Sequence, residues 1–255
     1  MTGGLGVTDG LLKMWAVFRR EVGGYFLSPV AYVVLFLFAL TQGAMFFVYA
    51  DFFADHPRQI TKIIEGLFGF ALFWVLPLSP LLTMRLFAEE KRTGSIEMLM
   101  TAPVSEWQVV LGKFFAAQLF YMLIWLSMVP LLLILEVRGD PDWGPVLSIY
   151  VGLFGLGLVT NSLGVLTSAG TRNQLVAAVL ALTGNLALYL VSMTALMFPD
   201  NPDVRRVVHY LSFSKHFGGE YSRGIVDLRY ILFYLSFTAL FLFFSVRVVE
   251  ARKWR

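Results

Sequence analysis

The sequence predicts an all-α polytopic membrane protein with six transmembrane helices, and three observations predict it. Hydrophobic residues fill 58% of the 255 positions and charged residues only 15%, against about 25% charged in an average soluble domain. Mean hydropathy is +0.72. Six runs contain no Asp, Glu, Lys or Arg: Val30–Ala50, Gly66–Met84, Phe114–Leu135, Val146–Ala169, Leu175–Phe198 and Tyr230–Val246. A hydrocarbon core takes roughly 20 helical residues to cross, and within lipid a helix satisfies its own backbone. The short alternating strands of a barrel are absent. The composition excludes a disordered chain, a nucleic-acid-binding arm and an ordinary cytosolic enzyme. With no Cys, disulfides, thiolate metal sites and Cys nucleophiles are excluded. Three His are too few for a His-rich metal cluster.

Before the first run, Leu11–Phe26 mixes Leu12, Trp15, Ala16 and Phe18 with Lys13, Arg19, Arg20 and Glu21. The pattern predicts an N-terminal interfacial helix over 11–27, its basic face toward the headgroups; a partner-binding helix fits the same residues. A cleavable signal peptide is not expected, because no small-residue cleavage site follows a short apolar core. Ser28-Pro29 supplies an N-cap and an N1 proline for the first span. Pro77 and Pro80 in the second span and Pro130 in the third predict kinks. Ser105-Glu106-Trp107-Gln108 is a capping box opening the third helical run. Gly152, Gly155, Gly157 and Gly164 in the fourth span allow close helix approach.

Six spans put both termini on one side. Twelve Lys and Arg then fall on that side and eight on the other, so the positive-inside rule makes the termini cytoplasmic. The stretch 85–113 lies on the same side and reads as a charged loop. Within it Ser95–Thr101 suits about two helical turns, with Ile96, Leu99 and Met100 on one face. Gly94 permits a sharp bend before it, and Pro103 stops it. Such a helix could receive a push from a cytoplasmic partner; a solvated loop is the alternative.

The run Glu89-Glu90-Lys91-Arg92-Thr93-Gly94-Ser95-Ile96-Glu97-Met98-Leu99-Met100-Thr101-Ala102-Pro103 resembles the cytoplasmic loop motif of ABC-2 type transporter permeases, E-E-K-R-x-G-[ST]-[LI]-E-x-L-[LM]-x-x-P. Every fixed place is filled. The resemblance implies that Glu89, Glu90, Lys91, Arg92, Thr93, Gly94, Ser95, Ile96, Glu97, Leu99, Met100 and Pro103 form a cytoplasmic coupling helix. In that family this helix docks into a cleft of the ATP-binding subunit and transmits nucleotide-driven closure. Thr171-Arg172-Asn173-Gln174 resembles a short turn of the same family. Arg172, Asn173 and Gln174 read either as a second touch point or as a simple polar turn.

The stretch 199–229 is too polar to span and too apolar for a free loop, which predicts short helices at the outer membrane surface, re-entrant or not. Leu211-Ser212-Phe213-Ser214-Lys215-His216-Phe217 and Ser222-Arg223-Gly224-Ile225-Val226-Asp227 resemble a pattern of the gliding-motility and nitrous-oxide-reductase-maturation permeases within that family, as does Glu250–Trp254. Gly218-Gly219-Glu220 departs from it. This singles out His216, Phe217, Arg223, Gly224 and Asp227. His216 lacks metal-ligand partners and reads as a structural residue; Arg223 and Asp227 at i, i+4 read as an ion pair on one helical face. Gln42, Gln118, Asn161 and Asn185 within spans either bond neighbouring helices or line a path.

The resemblance implies a permease subunit, dimeric with itself or a related chain, working with two copies of a cytoplasmic ABC ATPase in a bacterial inner membrane. A periplasmic or membrane auxiliary protein is a further partner of that subgroup. The implied role is export, extraction or force transmission. The chain has no G-x-x-x-x-G-K-[ST] phosphate loop, so ATP and Mg belong to the partner and no cofactor or catalytic residue is expected here. A structural membrane subunit shares the composition without explaining the loop. A lipid-modifying enzyme would need clustered His, Asp, Glu or Ser at membrane depth.

Overall fold

The computed structural model describes the backbone of residues 3–52, 60–95, 103–138, 141–197, 217 and 220–251. All regular structure among these residues is helical. The helices are α1 Gly3–Phe26, α2 Pro29–Phe52, α3 Ile60–Thr83, α4 Arg85–Thr93, α5 Glu106–Leu126, α6 Val129–Arg138, α7 Trp143–Gly170, α8 Gln174–Met197 and α9 Leu228–Glu250. A 3₁₀ turn at Tyr221–Arg223 precedes α9. Among the described residues five stretches are long and apolar enough to cross a membrane: Pro29–Phe52, Lys62–Thr93, Glu106–Val137, Trp143–Gly170 and Leu228–Glu250. The fifth expected span is α8, whose described apolar part, Gln174–Leu190, is shorter. The chain is a multi-pass membrane protein.

The helix ends follow local chemistry where a local signal exists. Pro29 opens α2 at a position whose N–H needs no partner. The Ser105 hydroxyl accepts from Gln108 N and the Gln108 side chain accepts from Ser105 N, completing the expected capping box. The third span is broken: Ser127 N bonds Ile124 O and Met128 N bonds Trp125 O in a tight turn, and Pro130 falls in the first turn of α6. Pro77 and Pro80 both lie inside α3. Pro80 has no N–H to give the Leu76 carbonyl; the Asn185 side chain of α8 reaches that carbonyl at 3.5 Å.

The stretch 85–113 departs from the expected loop. Its first nine residues are helix α4, which continues α3 past Met84, while its last eight belong to α5, as the capping box predicts. The bonds that cap and tether α4 come from distant helices, so local sequence does not display them.

Helix α7 is the hub. It packs on α3, α4, α5, α8, α9 and the 3₁₀ turn. Of its span 72% is buried, against 28–50% for the other four. Its glycines explain the closeness. A Cβ at Gly152 would lie 2.9 Å from the Tyr221 ring. At Gly155, Gly157 and Gly164 it would collide with Tyr234, Tyr121 and Thr83 respectively. The segment after α8 therefore returns into the bundle, with Phe217 and Tyr221 buried against α7. The polar span residues mostly join helices: Asn161 of α7 donates to Gln118 of α5 at 2.9 Å, and Gln118 donates to Phe154 O at 3.1 Å. Gln42, on α2, is buried.

Gly155→Val should destabilise the detergent-solubilised protein by about 1–3 kcal/mol through overpacking. Gly43→Ala, where nothing lies within 4 Å of the new methyl, should be neutral or slightly stabilising. Denaturant titration followed by Trp fluorescence reads both.

Candidate functional site

The motif-bearing region is built around Lys113, whose side chain is fully buried. It sits on α5 beyond the capping box, beside Gly112. A Cβ at Gly112 would meet Met14 O at 2.9 Å and Val17 at 3.0 Å, so the missing side chain lets α1 lie against α5. That contact brings Glu21 to 2.9 Å from the Lys113 ammonium. From α4, Glu90 also lies at 2.9 Å, and Leu86 O accepts from Lys113 at 2.7 Å. Arg20 closes the set, at 2.6 Å from both Glu21 and Glu90. Two cations and two carboxylates thus balance where α1, α4 and α5 meet. A buried ammonium is tolerable only when paired and hydrogen-bonded.

Burial alone would raise the Glu21 carboxyl pKa, but Lys113 and Arg20 outweigh it and hold it below the ordinary carboxylate value. The contribution is therefore present above the unfolded pKa and is lost as pH falls through the lower folded one.

A second joint ties α4 to α7. Met84 stands at the N-cap of α4 without a side-chain cap. Ser168 of α7 does the work instead: its hydroxyl accepts from Phe87 N and Ala88 N at 3.0 and 3.2 Å and donates to Met84 O at 3.0 Å. In return the Lys91 ammonium donates to Ala169 O near the end of α7, a favourable place for a cation. A third joint ties α1 to the α3–α4 junction. Tyr25 OH donates to Leu82 O at 2.6 Å, Arg85 donates to Gly24 O at 3.1 Å, and the Arg85 guanidinium lies 4.7 Å above the Tyr25 ring.

The predicted coupling residues therefore divide. Glu90 and Lys91 are turned inward into these joints. Glu89 and Arg92 are exposed and 4.0 Å apart. Thr93 donates to Glu89 O and meets the Ser95 hydroxyl at 2.9 Å. Gly94 ends α4 at φ +76°, a conformation that suits glycine, in agreement with the expected bend. Pro103 is exposed just before the α5 cap. Ile96, Glu97, Leu99 and Met100, with the short helix expected over Ser95–Thr101, lie outside the described residues apart from Ser95.

In the second turn, Asn173 caps α8 by accepting from Leu175 N at 2.9 Å and Val176 N at 3.4 Å. Arg172 is exposed, and Gln174 starts the helix. Arg172 and Arg92 line one open cavity together. On the far end, Phe217 is buried, and Gly224 closes the 3₁₀ turn at φ +80°. His216 lies outside the described residues. The expected one-helix pairing of Arg223 with Asp227 is corrected: Arg223 ends the 3₁₀ turn, whereas Asp227 is the α9 N-cap and accepts from Arg229 N at 2.8 Å. The positive-φ glycine between them breaks the helix.

Sequence reasoning had missed Arg20, Glu21, Lys113, Tyr25 and Ser168 as site residues. One signal was present: Lys113 is the one charge of α5 beyond its first turn, which demands a partner. Among the described residues no group of His, Asp or Glu could hold a metal ion.

Lys113→Met should cost roughly 3 kcal/mol of stability, because it leaves two largely covered carboxylates to one half-exposed arginine; chemical denaturation in detergent measures it. Stability should hold near neutral pH and decline as pH falls below the ordinary carboxylate range and Glu21 protonates. In Glu21→Gln that part of the decline should be gone.

The family described as ABC-2 family transporter protein matches residues 15–238. No curated protein matches the chain.

Proposed function

Because the chain belongs to the ABC-2 transporter family, we propose that it is the permease subunit of an ATP-binding-cassette assembly in a bacterial inner membrane, with both termini cytoplasmic. Two copies of a separate cytoplasmic ATPase bind ATP and Mg. This chain pairs with a second permease, a copy or a relative, and converts ATPase closure into export, extraction or force transmission; a periplasmic or membrane auxiliary protein receives or guides the outcome.

The observation that carries this reading is the double anchoring of the motif. The undescribed residues 96–102 are flanked by α4 and α5. Lys113 of α5 bonds Leu86 and Glu90 of α4, Ser168 and Lys91 lock α4 to α7, and Glu21 adds α1. A push on the segment therefore moves a braced unit of helices instead of a slack loop. Glu89 and Arg92 remain on the outer side of α4, and Arg172 is exposed in the turn between α7 and α8.

The mechanism follows in order. ATP draws the ATPase pair together, the segment carrying Ile96, Glu97, Leu99 and Met100 shifts, and α4 shifts with it. The Ser168 and Lys91 bonds pass the motion to α7, on which the bundle is packed.

In an assembly purified with its ATPase, Ile96→Asp combined with Leu99→Asp should abolish copurification and the permease-dependent part of ATP turnover. Unchanged binding and turnover would sink the coupling assignment.

A further inference from the structure

Two cavities lie side by side at the α4 end of the bundle and share Met84 and Gln174 as walls. The deeper, about 220 Å³, is lined by Val30, Ala31 and Val34 of α2, Leu81 of α3, and Arg85 and Glu89 of α4, among others. The outer, about 630 Å³, carries Arg92 and Arg172. The two linings together hold three arginines, of which Arg85 also bonds Gly24 O, and one carboxylate, Glu89, 4.0 Å from Arg92.

The crevice opens sideways. Helices α2 and α8 each pack on α3 but scarcely touch one another. The residues flanking the gap are exposed and apolar: Val30, Val33, Leu175 and Val176. Helix α2 is long and apolar enough to cross a membrane and the described part of α8 is a shorter apolar helix, so the gap between them suits an apolar occupant. The α8 N-terminus offers little to an anion, because Asn173 already occupies the N–H groups of Leu175 and Val176. The positive charge comes from the arginines alone.

We propose that this crevice holds one anionic phospholipid of the adjoining leaflet. Its phosphate sits among Arg92, Arg172 and Arg85, and an acyl chain lies along Val30, Ala31, Val34 and Leu81. A free phosphate would use the arginines but leave the apolar wall empty; a neutral lipid would use the wall but not the arginines. The headgroup bridges α4 to the α7–α8 turn, two elements that otherwise join through Ser168 and Lys91. The proposal concerns binding alone and stands whether or not the coupling assignment does.

Native mass spectrometry of the purified full chain in detergent tests it, using dioleoyl phosphatidylglycerol and dioleoyl phosphatidylcholine at equal concentration. One phosphatidylglycerol should be retained in preference. Arg92→Gln and Arg172→Gln should each weaken that preference roughly fivefold, as expected for an arginine beside an anionic headgroup. Arg247→Gln, at the same end of the bundle and paired with Glu250, should leave it intact. Equal retention of the two lipids overturns the proposal, as does loss of preference in all three variants alike, which marks diffuse surface charge. Full displacement by glycerol 3-phosphate marks a free-anion site instead. Self-cross-linking of Val30→Cys that phosphatidylglycerol does not reduce places a second copy of the chain in the crevice.

Discussion

The structure depends on one constraint: the ammonium of Lys113 is out of reach of solvent and has to be neutralised in place. Stripping such an ion of water costs several kcal/mol even after relaxation. The fold meets that cost with Glu21, Glu90 and the Leu86 carbonyl, each within 3 Å. Those groups come from α1 and α4, so neutralising the ion brings three helices together. Arg20 then balances the second carboxylate. A hydrophobic residue at 113 could pack there, but it would not select which helices meet. In this sense the buried charges specify register.

With α4 held in that orientation, its other faces find their partners. Phe87 and Ala88 present their N–H groups to Ser168, and Lys91 reaches the end of α7. Two helices cap each other across the bundle, which replaces the side-chain caps that neither Met84 nor the end of α7 provides. Helix α7 can serve as the common neighbour because its glycines admit rings from α5, α9 and the returning segment at backbone distance. Close approach matters in lipid, where packing and hydrogen bonds, rather than exclusion of water, hold helices together. The Gln118–Asn161 and Asn185–Leu76 contacts are of the same kind: neutral amides tying helices. The function proposed for the motif follows from this rigidity. A segment suspended between α4 and α5 can move neither end without moving the cluster that joins them.

Much of the fold was legible in the sequence. The uncharged runs located the spans because hydrocarbon excludes charge. Ser105 and Gln108 showed where α5 begins, since a capping box is built from four consecutive residues. Gly94 showed the bend through its own backbone freedom. Within 85–113, Arg85–Thr93 was read as loop because the hydroxyl that caps Phe87 and Ala88 comes from Ser168, some eighty positions away. The Arg223–Asp227 pairing failed because spacing predicts contact only along a continuous helix, and Gly224 interrupts it. Glu90 and Lys91 belong to a recognisable motif, yet the motif alone did not show that both turn inward.

The sequence by itself determined the solvent, the helical class, the approximate spans and the family, because each rests on composition or on contiguous residues. Only the tertiary structure decided which charges are structural and which are left exposed. Glu89 and Glu90 are identical in type and adjacent in sequence, but consecutive residues on a helix point about 100° apart. One faces out beside Arg92 and the other lies against Lys113. The difference is set by a lysine 23 positions further along the chain, and that proximity exists only once the helices have packed.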